Sequence, residues 1–153
     1  ADIRCQDIGE ILARDLSRAA GYIFAGLPVP GSDTGDYLVR NLIGIDPREK
    51  LLAIGDILED DAPIMFCRRD GETAREDMLR MLRDLHKRAG GRIKAGLYYS
   101  CLGRGRNQFG DNSAEMTLIA EHLGNVPLAG FYANGEISHN RLYGYTGVLT
   151  LFL

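Results

Sequence analysis

The sequence predicts an α/β (α+β) fold for residues 1–153, read as one domain: a mixed, largely antiparallel sheet with helices packed on it. Three observations lead there. Apolar residues recur at helical spacing in separate stretches, short β-branched and aromatic runs lie between them, and Pro, Gly and Asp clusters separate the runs. After Gly71 helix and strand patterns alternate, which places helices against a sheet.

Taken in order, Asp7 to Ala20 carries Ile8, Ile11, Leu12 and Leu16 at helical spacing, with Asp7 and Glu10 spaced as a capping box. Gly21 to Gly26 reads as a short strand, and Leu27 to Asp36, with Pro28 and Pro30, as a loop. Tyr37–Ile45, Leu51–Gly55 and Pro63–Arg69 read as a meander of antiparallel strands, separated by Asp46-Pro47 and by the acidic Glu59-Asp60-Asp61. A helix is expected over Thr73–Ala89, capped by Thr73 and Glu76. Its inner stripe would be Ala74, Met78, Met81, Leu82, Leu85 and Ala89, and Gly90-Gly91 would end it. Ala95–Cys101 reads as a buried strand and Gly103–Gly110 as a glycine-rich loop. A third helix follows over Ser113–Leu123, with Asn112 and Glu115 at cap spacing and Met116, Ile119, Ala120 and Leu123 inside. Val126–Tyr132 is the next strand, Asn134-Gly135 a turn, and Tyr145–Leu153 the last strand.

Composition narrows the function classes. The hydrophobic fraction is 45% and the charged fraction 25%, ordinary for a globular protein. No apolar run approaches the ~20 residues of a membrane helix, so no membrane partner is expected. The start at Ala1 reads as a piece of something longer. Cys5, Cys67 and Cys101 are few, odd in number and far apart, which fits reduced thiols and a cytoplasmic setting. The histidines His86, His122 and His139 do not cluster with them, so neither a metal nor another cofactor is expected. Residues 68–106 are basic and the rest acidic, but the basic side chains alternate with acidic ones on one helix. That is a solvated helix face, and no nucleic-acid partner is expected.

Three segments hold more polar and glycine residues than packing needs: Ser100–Gly105, Gly130–Glu136 and Gly144–Gly147. The first leaves a buried strand and enters a helix, where open α/β sheets hold ligands. Gly103 and Gly105 allow close backbone approach, and Arg104 and Arg106 suit a carboxylate or phosphate. Gln108 breaks the dinucleotide fingerprint, and there is no P-loop lysine, so binding loop and tight structural connection both stand. Cys101 could be a nucleophile with His139 or Glu136 as proton-transfer partner, or a structural thiol. Asn134-Gly135 is the pair a type I′ hairpin prefers, or else it presents Asn134 and Glu136 at a sheet end.

The strings Ser100-Cys-Leu-Gly-Arg-Gly105, Gly130-Phe-Tyr-Ala-Asn-Gly-Glu136 and Tyr143-Gly-Tyr-Thr-Gly-Val148, with Tyr37 to Asp46 upstream, closely resemble the FIST C domain family over the whole chain. The resemblance implies a small-ligand-binding sensory domain of a signal-transduction protein, with amino acids or related metabolites as ligands and no enzymatic activity. It implies a FIST N domain in the full-length protein. Family members occur beside bacterial output domains and in F-box proteins of ubiquitin signalling. The expected ligand-binding residues are Ser100, Cys101, Gly103, Arg104, Gly105, Phe131, Tyr132, Asn134, Gly135 and Glu136. On chemical grounds Arg104 would face an anionic group and Asn134 or Glu136 the other end, Glu136 pairing with an ammonium. The alternatives are a Cys101-dependent enzyme and a protein-interaction platform. Homo-oligomerisation is compatible with the sequence.

Overall fold

The computed structural model describes residues 23–31, 36–46 and 48–153. The helix expected over 7–20 and Cys5 lie outside them. The chain divides into two compact units, residues 1–69 and 70–153.

The first unit holds a four-stranded antiparallel sheet in the order β3-β2-β1-β4, built from β1 (Ile23–Pro28), β2 (Tyr37–Asp46), β3 (Leu51–Ile54) and β4 (Met65–Arg68). Buried Ile23, Ala25 and Leu42 form its core with Ile54 and Phe66 against them. The strands fall where the sequence places them, but their pairing departs from a meander. The fourth strand pairs with the first, Ala25 opposite Phe66, rather than with the third. The turn after β2 is fixed locally, since Asp46 Oδ1 accepts the amides of Arg48 at 2.9 Å and Glu49 at 3.1 Å.

The second unit opens with α1 (Gly71–Ala89). It starts earlier than the Thr73/Glu76 reading. Asp70 is the N-cap, accepting the Thr73 amide at 2.9 Å, and Gly90 closes the helix at φ 58°. The strand β5 (Ala95–Cys101) follows, then a single-turn helix α2 (Arg106–Phe109) inside the glycine-rich stretch, then α3 (Ala114–Leu123). Next come β6 (Leu128–Ala133), β7 (Glu136–Ser138), β8 (Arg141–Tyr143) and β9 (Gly147–Phe152).

β5 is the centre of a three-stranded mixed sheet, parallel to β6 and antiparallel to β9. Tyr98 lies opposite Leu149 and Gly96 opposite Leu128, so the three stretches expected to share a sheet do. β7 and β8 form a separate hairpin. The core joins Met78 and Leu82 of α1, Tyr98 of β5, and Leu118, Ile119 and Leu123 of α3. Met116 and Ala120, expected inside, are exposed instead. The parallel pairing sets one strict requirement. Gly130 crosses β5 so closely that a Cβ there would overlap the Tyr98 carbonyl, and its φ of 158° is one that L side chains rarely adopt. Among the described residues no helix is long and apolar enough to cross a membrane.

Candidate functional site

Residues two apart on a strand share a face, so β5 directs Tyr98 and Ser100 to the same side. Both are buried, and both meet Glu115 on the first turn of α3, itself 3% exposed. The Tyr98 hydroxyl donates to Glu115 Oε1 at 2.7 Å and the Ser100 hydroxyl to Oε2 at 3.1 Å. The loop after β5 supplies two more donors: Arg104 Nε to Oε1 at 2.9 Å and the Gly105 amide to Oε2 at 3.1 Å. The Arg104 guanidinium also lies over the Phe109 ring, 4.8 Å from its centroid. Burial pushes the Tyr98 phenol well above its ordinary range. The charge of Glu115 and its hydrogen bond add to this, while Arg104 opposes it.

Glu115 is therefore the hub of a buried network, and not the capping partner of Asn112. Ser113 occupies the N-cap at φ 53° and makes no side-chain cap hydrogen bond. Asn112 before it is also left-handed, at φ 67°. Two such non-glycine residues in succession cost roughly 1–2 kcal/mol each. They stand immediately before the helix that carries the buried Glu115. They also leave the first turn of α3 without a side-chain cap.

In front of this network lies a cleft of about 470 Å³. Gly105 and Arg106 form one wall, the 110–116 turn into α3 another, and Tyr132 of β6 the third. Tyr132 is half exposed, and its ring sits against Gly105, where a Cβ would come 2.8 Å from the hydroxyl oxygen. Gly105 takes φ 51°, so both its conformation and its neighbour require glycine. Arg106 pairs with Asp111, both largely exposed.

The expected site residues divide. Gly105 and Tyr132 line the cleft, while Cys101, Arg104, Asn134 and Glu136 are not among its walls. Ser100 and Arg104 stand behind it, bonded to Glu115. Arg104 is not the free cation expected from the sequence, because its Nε already serves a buried carboxylate. Gly103 packs under the Tyr145 ring. Phe131 is 66% exposed and meets Tyr99 edge to face at 5.0 Å. Asn134 is exposed, and neither it nor Gly135 has a positive φ, so their turn is not a type I′ hairpin. Glu136, at the start of β7, is 2% exposed and neither carboxylate oxygen makes a side-chain hydrogen bond. Burial raises its pKa; the Thr146 amide and the Arg104 charge counter this only in part.

Cys101 is buried and makes no hydrogen bond with His139, whose Nδ1 meets the Ser138 hydroxyl at 3.3 Å, or with Glu136. Among the described residues no group of three or more His, Cys, Asp and Glu side chains could hold a metal ion. The residues that sequence reading missed are Tyr98, Asn112, Ser113 and Glu115. A signal for the last was present, since Glu115 falls in register with Leu118, Ile119 and Leu123 on the inner face of α3.

An uncharacterized protein of Mycobacterium tuberculosis is 38% identical over 131 residues, covering 83% of this chain and 34% of its own length. An uncharacterized protein of Mycobacterium bovis is 36% identical over 131 residues, covering 83% of this chain and 33% of its own. The chain thus spans about a third of the length of these curated relatives. No solved structure matches it. The family model of the FIST C domain matches residues 3–139, which implies a sensory domain of signal transduction. The chain belongs to the FIST C domain family.

Proposed function

We propose that this chain is the ligand-binding part of a sensory protein and that a small polar metabolite, an amino acid or a close relative, occupies the cleft between Gly105, Tyr132 and the start of α3. The observation that carries this reading is the position of the cleft: it opens at the carboxyl ends of the parallel strands β5 and β6, before the helix that connects them. Open α/β arrangements bind ligands at that place, and the volume suits a small molecule. The Gly105 backbone and the Tyr132 ring supply a close-approach wall and an aromatic surface. The buried Glu115 network fixes the loop that carries Gly105, so the wall is set before the ligand arrives.

In this reading the domain binds without converting its ligand, within the cytoplasm, and works beside a FIST N domain of a longer protein. The test is a thermal-shift screen of amino acids and related metabolites, followed by calorimetric titration of any hit. A ligand that binds the folded state alone stabilises it by about 2.7 kcal/mol at a hundred times its Kd. The expected result is a saturable rise in melting temperature that Tyr132→Ala weakens by roughly tenfold or more, the loss of about 1.4 kcal/mol of aromatic contact. Absence of any hit, or a hit indifferent to Tyr132→Ala, would remove the cleft as the binding site.

A further inference from the structure

Three polar side chains are buried among the described residues: Ser100, Glu115 and Glu136. The first two satisfy each other at 3.1 Å, and Glu115 receives three further donors. Glu136 makes no side-chain hydrogen bond on either oxygen and has only the Thr146 amide beside it. A carboxyl group covered from water with so few donors is unfavourable in either protonation state, and folded proteins rarely keep one without a use for it.

The charges around it are unbalanced. Arg104 is the cation whose charge reaches Glu136, but its Nε is committed to Glu115. Both carboxylates feel the Arg104 charge, and only Glu115 holds it in an ion pair. The chain around Glu136 is also joined to the cleft. Tyr132, a cleft wall, leads through the turn at Asn134 and Gly135 to Glu136, and Arg104 immediately precedes Gly105, a second wall. Asn134, two residues before Glu136, is exposed.

We infer that Glu136 is the recognition point for a cationic hydrogen-bond donor on the ligand, an ammonium or amidinium group. This rests on the binding role proposed above and narrows it to ligands that carry a positive charge. Such a group supplies directed N–H donors beyond the Thr146 amide and a charge not already paired with Glu115. A metal ion fits less well, because no set of three ligating side chains surrounds the position among the described residues.

The probe is ethylammonium chloride, titrated at neutral pH against potassium chloride of equal ionic strength, with ethanol as the neutral counterpart. Melting temperature is followed for the wild-type chain, Glu136→Gln and Glu136→Asp. Wild type should show a saturable rise with ethylammonium and none with ethanol, Glu136→Gln an apparent affinity at least roughly tenfold weaker, and Glu136→Asp partial retention. In the wild-type chain the carboxyl carbon resonance of Glu136 should move along the same titration, a readout that does not depend on any variant folding. An equal response of wild type and Glu136→Gln, a wild type that does not respond, or an unmoved Glu136 resonance overturns the inference. Failure here is separable from failure of the cleft. A metabolite bound equally by wild type and Glu136→Gln keeps the cleft and removes Glu136. A Glu136-dependent ethylammonium response with no metabolite hit supports Glu136 and removes the cleft reading.

Discussion

Replacing Glu115 by alanine removes the acceptor of four donors at once. The Tyr98 hydroxyl, the Ser100 hydroxyl, the Gly105 amide and Arg104 Nε would all face a cavity. The dominant loss is the ion pair, since Arg104 is 12% exposed at its side chain and Glu115 3%. Removing one partner of a buried pair costs about 3–5 kcal/mol, because the other charge remains without compensation. A typical domain has only about 5–15 kcal/mol in total, so the variant should be folded only marginally. Urea unfolding followed by circular dichroism measures the loss, and a double-mutant cycle with Arg104→Met isolates the pair. The double variant should be more stable than the sum of the single losses implies, by about 2–3 kcal/mol, because no buried charge is left over. A Glu115→Ala loss below about 1 kcal/mol, or a cycle additive within about 0.5 kcal/mol, would refute the hub role. By the same geometry, Arg104→Ala should lower the stability of the ligand-free chain.

Other consequences follow from neighbouring groups. Gly130→Ala should destabilise by several kcal/mol or prevent β5 and β6 from pairing, since the added methyl meets the Tyr98 carbonyl; an unfolding midpoint close to that of wild type would contradict the close crossing. Glu136 has a raised folded-state pKa, so above the ordinary value of 4.5 the unfolded chain releases its proton first and the folded state binds more protons. Wild type should therefore lose stability relative to Glu136→Gln as pH climbs through the window above 4.5; parallel pH–stability curves would show that Glu136 is not strained by burial. Cys101, 7% exposed, should be alkylated in the native chain more slowly than the half-buried Cys67; the reverse order would revive the nucleophile reading.

How much of this was legible in the sequence depends on the range of the interaction. The stripe Met78, Leu82 and Ala89 was visible because helical periodicity is local, and all three are buried. The strand Ala95–Cys101 was visible for the same reason, although Tyr98 was not singled out as the neighbour of Ser100 on one face. Their partner was not, because Glu115 lies 15 and 17 residues on, and its spacing from Asn112 imitates a cap. Left-handed conformations at Asn112 and Ser113 decide the matter, and no propensity rule predicts two in succession. The same limit explains the first sheet. Strand positions follow from composition, whereas the pairing of β4 with β1 is a non-local choice. Asn134-Gly135 misleads in the opposite way. The dipeptide favours a hairpin, yet β6 pairs with β5 and β7 pairs with β8, so no ladder crosses that turn. Among the expected site residues, Gly105 was found through its loop, and the charge balance around Arg104 became visible only once Glu115 was placed beside it.

The central claim is that the cleft beside Gly105 and Tyr132 holds a small metabolite. Isothermal titration of the strongest thermal-shift hit into wild type and Tyr132→Ala, at one pH and salt concentration, tests it most directly. One site per chain is expected, with Kd raised roughly tenfold or more by the substitution while the unfolding midpoint of the ligand-free variant stays near that of wild type. Equal Kd values in the two proteins would contradict it.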